Sequence, residues 1–306
     1  MPLNELEKHP YLDYHQTLPL TLQRPKSEFT GLIIGTFPIY DITMSHDGQT
    51  HRFGNGARMQ FFYGSSENSF WETLTTILRV DDDDNPLKTP NAKDGTLRAI
   101  NLLTSRGLLI TDVIKCTNRY NNTTKNGKCP LDQSLLNCKG APLETLKGFQ
   151  YNNGIKDILS QYPGIKNLFF TNTGVSGITP FGLFQKEIFK NKIQIVNEYK
   201  AGTRLFAQTI RIDNKMYDAF FLPSPAGEGF RGLSWGDKRP LKVLQDYVRS
   251  KNPKLYNELV KLKQSQRSIR QSNDLTNLRK SFFEDCWRAA IVDRNKGFFS
   301  SLQPKL

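Results

Sequence analysis

Short apolar runs, each stopped by turn-forming residues, recur through the middle of the chain. Residues 30–37 (TGLIIGTF) predict a buried parallel strand that ends in a loop. Residues 107–114 (GLLITDVI) and 165–170 repeat the pattern, and 192–196, 205–212 and 217–222 predict three more strands. The last two read as a hairpin around Asp213, Asn214 and Lys215. Apolar positions at helical spacing lie between these runs. Residues 70–78 (FWETLTTIL) follow the candidate caps Ser65, Ser66 and Asn68, and 153–162 place Ile155, Ile158 and Leu159 on one face. Residues 181–189, 240–250, 253–269 and 278–292 complete the predicted helices. The polar stretch 118–140 reads as a long loop, and the carboxylate run 81–84 as a turn.

Strands that alternate with helices argue for an α/β fold. The expectation is a three-layer α/β/α sandwich with a mostly parallel central sheet, plus a basic helical C-terminal extension. The boundaries expected are an N-terminal extension over 1–29, a catalytic domain over 30–250 and the extension over 251–306. In such sheets ligands bind beyond the carboxyl ends of the strands. The loops 35–41, 112–119, 171–176 and 223–230 are therefore where chemistry is expected.

Charge narrows the partner. The chain of 306 residues carries a formal net charge of +13. Residues 249–306 alone hold 13 Lys and Arg against 5 Asp and Glu. Such an excess fits a polyanion, nucleic acid before a membrane surface. No apolar run is long enough to span a bilayer and no signal peptide is recognisable, so the expected address is cytoplasmic and the expected state a monomer. The four cysteines, Cys116, Cys129, Cys138 and Cys286, form no CxxC pair and have no histidine at zinc-finger distance. Reduced thiols are expected, with no metal and no cofactor.

The strand-end loops carry a family resemblance. GTFP (35–38), GSSENSFW (64–71), GLLITDVIKCTNR (107–119), NNGIKDILSQYPGIKNLFFTN (152–172) and LPSPAG (222–227) resemble, in this order, motifs of the uracil-DNA glycosylase superfamily, closest to its hypoxanthine-DNA glycosylase-like branch. The resemblance spans roughly residues 30 to 250. It implies a monofunctional DNA glycosylase that flips out an altered base (uracil, hypoxanthine or a modified base) and hydrolyses its N-glycosidic bond. Two alternatives stand beside it. One is an antiphage enzyme that excises a hypermodified base from invading DNA. The other is a non-catalytic DNA-binding protein on the same scaffold. In each, DNA, duplex or single-stranded, is the partner. Some superfamily members hold an iron–sulfur cluster on four cysteines; here Cys286 would have to approach the other three.

The resemblance also assigns residues. Most members hold the attacking water at the third position of the Gly-x-x-Pro turn, which here is Phe37 and cannot do so. The branch implicates the Asn before Phe-Trp, so Asn68 is the candidate, with a plain helix cap as its structural reading and Asp41 as a rival. Asp112 ends a strand, where it would orient amides or water. Phe37 and Phe62 are candidates to contact the extruded base, and Thr171 or Asn172 to read its edge. Gly35, Thr36, Pro38, Pro223, Ser224, Pro225, Ala226 and Gly227 would approach DNA phosphates through small residues and exposed amides, helped by Arg119 and Arg231. No histidine follows the strand that feeds the Pro-Ser loop, since His9, His15, His46 and His51 all lie near the N-terminus. The segment 39–60 is an insertion relative to the branch.

Overall fold

The computed structural model describes residues 7–18, 22–37, 59, 61–64, 68–117, 137–138, 141–142, 150–177, 179–201, 204–225, 242–264 and 273–301. Six strands form one mixed sheet: β1 (Gly31–Gly35), β2 (Leu108–Asp112), β3 (Asn167–Phe170), β4 (Gln194–Ala201), β5 (Arg204–Ile212) and β6 (Lys215–Phe221). Their spatial order is β2-β1-β3-β6-β5-β4. The first four in that order run parallel, whereas β5 is antiparallel to both β6 and β4. The chain is thus an α/β protein with a mostly parallel sheet. Every residue of β1 and β2 is buried, which accounts for their unbroken apolar runs. From β1 the chain passes to β2 on one side and returns to β3 on the other. The winding therefore reverses at the carboxyl ends of β1 and β3, the place where open α/β sheets leave a crevice.

Among the described residues the α-helices are α1 (Phe70–Leu78), α2 (Ala92–Ser105), α3 (Gly154–Gln161), α4 (Pro180–Leu183), α5 (Lys242–Lys251), α6 (Pro253–Gln264), α7 (Asn273–Ile291) and α8 (Phe298–Ser301). Helix α2 departs from the sequence expectation. Gly95 and Thr96 sit in its first turns and weaken the local helical signal. It forms because Asn91 caps it, accepting from the Asp94 amide at 2.9 Å, and because Leu102 and Leu103 are buried. Helix α4 leads into a wider turn over Phe184–Ile188, where the Phe189 amide reaches the Phe184 carbonyl at 3.0 Å, five residues back. The β5–β6 turn is where the sequence placed it, with Asp213 in the left-handed region at φ 51°.

Both terminal segments enter the same hydrophobic core. Leu12 and Tyr14 at one end, and Phe282, Phe283, Trp287 and Phe299 at the other, are buried in one continuous cluster with the sheet. Each such side chain contributes about 1.5–3 kcal/mol by leaving water. The N-terminal segment also runs along the outer strand of the sheet. Glu7–Lys8 pairs antiparallel with Ile114–Thr117, which follows β2 and is the middle strand of a small three-stranded sheet with Gln150–Tyr151. The Tyr14 hydroxyl accepts from the Ile110 amide of β2 at 3.1 Å, satisfying a donor on the outer strand. Burial pushes the Tyr14 phenol well above its ordinary value. At the other end, α7 lies against α1. Arg288 donates to the Ile77 carbonyl at 3.2 Å, and Lys280 pairs with Glu72 at 3.0 Å. Among the described residues, no helix is long and apolar enough to cross a membrane.

Candidate active site at the strand ends

Gly35, Asp112, Thr171 and Leu222 stand at or just past the carboxyl ends of the four parallel strands. Gly35 and Asp112 are register partners. The Thr171 amide donates to the Ile34 carbonyl at 3.1 Å, and the Leu222 amide to the Phe170 carbonyl at 2.8 Å. These ladders hold the loop beginnings side by side.

Gly35 lies at the middle of a polar cluster. A Cβ at this position would stand 1.9 Å from Tyr63 Oη and 2.1 Å from Asp112 Oδ1, so those two oxygens are at most about 4 Å apart. Only the absence of a side chain lets them approach. The Tyr63 hydroxyl is also 2.8 Å from Thr171 Oγ1. Tyr63 itself sits at φ 55°, a left-handed conformation that costs an L-residue roughly 1–2 kcal/mol. Two contacts hold it there. Its ring stacks on Phe70 with centroids 4.5 Å apart, and the next residue closes a turn through Gly64 N to Phe61 O at 3.1 Å. Strain kept in place by such packing is a feature of functional sites.

The start of α1 joins this cluster to the Pro-Ser loop. Asn68 Oδ1 accepts from the Phe70 amide at 2.9 Å, an Asx turn one residue ahead of the helix, whose N-cap position is held by Ser69 and not by Asn68. That bond uses the oxygen only and leaves the amide nitrogen for another partner. The Ser69 amide and hydroxyl both donate to the Pro225 carbonyl, each at 3.0 Å. The Pro223 carbonyl in turn accepts from Trp287 Nε1 at 3.1 Å. A continuous chain of contacts thus runs from Gly35 through Tyr63 and Phe70 to Asn68, Ser69 and the loop holding Ser224.

Asp112 is the buried acid of the site, only 2% exposed. Its Oδ2 accepts from His9 Nε2 at 2.9 Å. The Tyr11 amide donates to His9 Nδ1 at 3.1 Å, which fixes the tautomer with the proton on Nε2. Asp112 Oδ1 has no hydrogen-bond partner among the described residues. Asn152 secures the same strand end, donating to the Asp112 carbonyl at 2.9 Å and to Thr111 Oγ1 at 3.0 Å. Around this pair the His9 ring meets Phe37 edge-on at 5.7 Å and Phe62 at 4.7 Å. Burial pushes the neighbouring Tyr11 phenol up to about 12.

The sequence candidates fall into three groups. Gly35, Asn68, Asp112, Thr171 and the 223–225 loop share one rim. Asn172 follows Thr171, with its Oδ1 accepting from the Gly174 amide at 2.7 Å. The Thr36 carbonyl accepts from the Ile114 amide at 3.1 Å. Two aromatic candidates are placed differently from expectation. Phe62 is 1% exposed and packed among Tyr11, Tyr14 and Phe61. Its ring offers no open face to a base, because the N-terminal segment covers it. Phe37 is buried as well, against His9. Pro38, Asp41, Arg119, Ala226, Gly227 and Arg231 lie outside the described residues, as do most of the 39–60 insertion and His46 and His51.

Sequence reasoning did not single out Tyr63, His9 or Asn152 for the site. Tyr63 had a signal, since it immediately precedes the GSSENSFW motif. His9 had none, standing 103 residues before its partner. A cavity of about 150 Å³ lined by Arg79, Asp81, Asp84, Asn101 and Arg106 lies elsewhere and shares no residue with the strand-end cluster. Comparison of the chain with known protein families, with curated proteins and with solved structures gives no match.

Proposed function

We propose that this protein is a monofunctional DNA glycosylase of the uracil-DNA glycosylase superfamily, acting without metal or cofactor. One observation carries the reading. The loops that resemble the superfamily's motifs, far apart in sequence, meet at the winding reversal of the sheet, linked by Gly35–Tyr63–Thr171 and by Ser69–Pro225. The finer architecture belongs to the same proposal: a three-layer α/β/α sandwich whose basic C-terminal helices face the DNA.

In this reading the enzyme grips phosphates with the backbone of the Gly35 turn and the Ser224 loop, and swings one nucleotide out of the stack. Extrusion costs a few kcal/mol of stacking and pairing, which the phosphate contacts offset. The Asn68 amide nitrogen, or a group beside it, holds a water under C1′ of the sugar. The water oxygen forms a bond to C1′ as the C1′–N bond breaks, its electron pair leaving with the base. The water's second proton is released to solvent or to the base. Thr171 and Asn172 offer hydrogen bonds to the base edge as negative charge grows there, where donors aimed in advance are most effective.

The test is base release. The protein is incubated with duplexes carrying uracil, hypoxanthine, xanthine or hypermodified cytosine, and abasic sites are then cleaved with alkali. Strand breaks on any of them support the reading, and the substrate tells repair from defence. No break on any duplex, together with tight salt-sensitive binding, leaves a DNA-binding protein without catalysis.

A further inference from the structure

We propose that His9 is a positioning residue for the strand-end site, holding the Asp112 carboxylate so that Oδ1 is presented to Gly35 and the Tyr63 hydroxyl. Four observations converge on it. The His9–Asp112 pair is buried, and the Tyr11 amide removes the ring's other tautomer. The ring is wedged between Phe37 and Phe62, so its aim is fixed. The segment carrying it is clamped to the strand beyond Asp112, with the His9 amide donating to the Lys115 carbonyl at 2.9 Å. Finally, Oδ1 has no donor among the described residues while Oδ2 is engaged, although a buried carboxylate oxygen without a donor is costly. An arrangement that satisfies one oxygen and turns the other toward a hydroxyl orients the acid; it does more than neutralise it. The 7–9 segment is then part of the site. The catalytic meaning of this rests on the glycosylase reading, whereas the orienting role does not.

The test compares His9→Leu, His9→Gln and the unmodified protein. Gln keeps an N–H donor near the position of Nε2, and Leu keeps bulk without a donor. The first readout is the backbone amide resonances of Gly35, Tyr63 and Thr171. The second is single-turnover base release set beside duplex affinity. His9→Leu is expected to move all three resonances and to slow release about 10- to 100-fold, the scale of losing a group that orients a site residue. Duplex affinity should stay within about twofold, since the loss falls on turnover and not on binding. His9→Gln is expected to recover most of both. Should His9→Leu fail to fold, His9→Asn, whose donor is too short to reach Asp112, takes its place with the same expectations. Unmoved resonances, or a Gln variant as impaired as Leu, overturn the proposal. An unmodified protein inert on every duplex removes the glycosylase reading alone, and the resonances still decide on His9.

Discussion

Replacing Gly35 by alanine probes the centre of the site most directly. Gly35 is not among the glycines at positive φ, so an alanine meets no backbone strain and the whole effect is steric. The added methyl would lie 1.9 Å from Tyr63 Oη and 2.1 Å from Asp112 Oδ1. Neither oxygen retreats freely, because Tyr63 is stacked on Phe70 and Asp112 is bonded to His9. Forcing a methyl into a packed interior costs about 1–3 kcal/mol. Breaking the Tyr63–Thr171 hydrogen bond adds about 0.5–1.5 kcal/mol. The expected loss is therefore about 1.5–4.5 kcal/mol, a lowering of Tm by roughly 2–7 °C for a chain of this size. Urea unfolding followed by the fluorescence of the buried Trp71 and Trp287 measures it. Adding Tyr63→Phe, which removes the hydroxyl, should recover about 1 kcal/mol or more of the loss, as coupled neighbours do. A Gly35→Ala protein within about 0.5 kcal/mol of the parent would refute the close packing of this cluster.

Asn68→Asp should keep the bond from the Phe70 amide, and with it stability, while Asn68→Ala loses both. In the glycosylase reading each slows base release by about a hundredfold or more; near-normal single-turnover rates in the aspartate variant would move the water-holding role elsewhere. Trp287→Phe strands the Pro223 carbonyl and should cost about 1–3 kcal/mol, read by urea titration, and a parental midpoint would show the bond to be dispensable. Burial lowers the His15 pKa from 6.5, with a smaller push the same way from Lys26, and outweighs Asp13 and the Leu12 backbone, which raise it. The unfolded chain thus takes up that proton more readily than the folded one. Stability should be full above about pH 6.5 and fall as the pH drops below it. His15→Phe should flatten that fall, and an unchanged slope in denaturant midpoints between pH 7.5 and 5 would contradict it. In the glycosylase reading, binding to DNA should weaken steeply with salt, with Lys254→Glu combined with Lys261→Glu on α6 lowering the slope of log K against log salt; an unaltered slope would take α6 away from the DNA.

Much of the sheet was legible because parallel strands buried on both faces read as short unbroken apolar runs, as in 31–35 and 108–112. Helix α2 was not, since Gly95 and Thr96 hide a helix whose stability comes from its cap and from Leu102 and Leu103. The positions of Gly35 and Thr171 followed from loops at strand ends, and Asn68 was named from the family resemblance. What the sequence withheld were pairings made by distant segments. Nothing local to His9 indicates Asp112, nothing near Trp287 indicates Pro223, and the strained Tyr63 backbone depends on Phe70 arriving beneath it. Phe62 was misplaced for the same reason: an aromatic beside a motif looks like a pocket wall until the N-terminal segment is seen to cover it.

The Trp287–Pro223 bond bears on how the molecule is made. On the ribosome the Pro-Ser loop leaves the exit tunnel well before α7 is synthesised, so a nascent chain halted between them carries this loop with its Pro223 carbonyl still unmet and Phe70 uncovered. Completion of the rim is thereby deferred until α7 has been made.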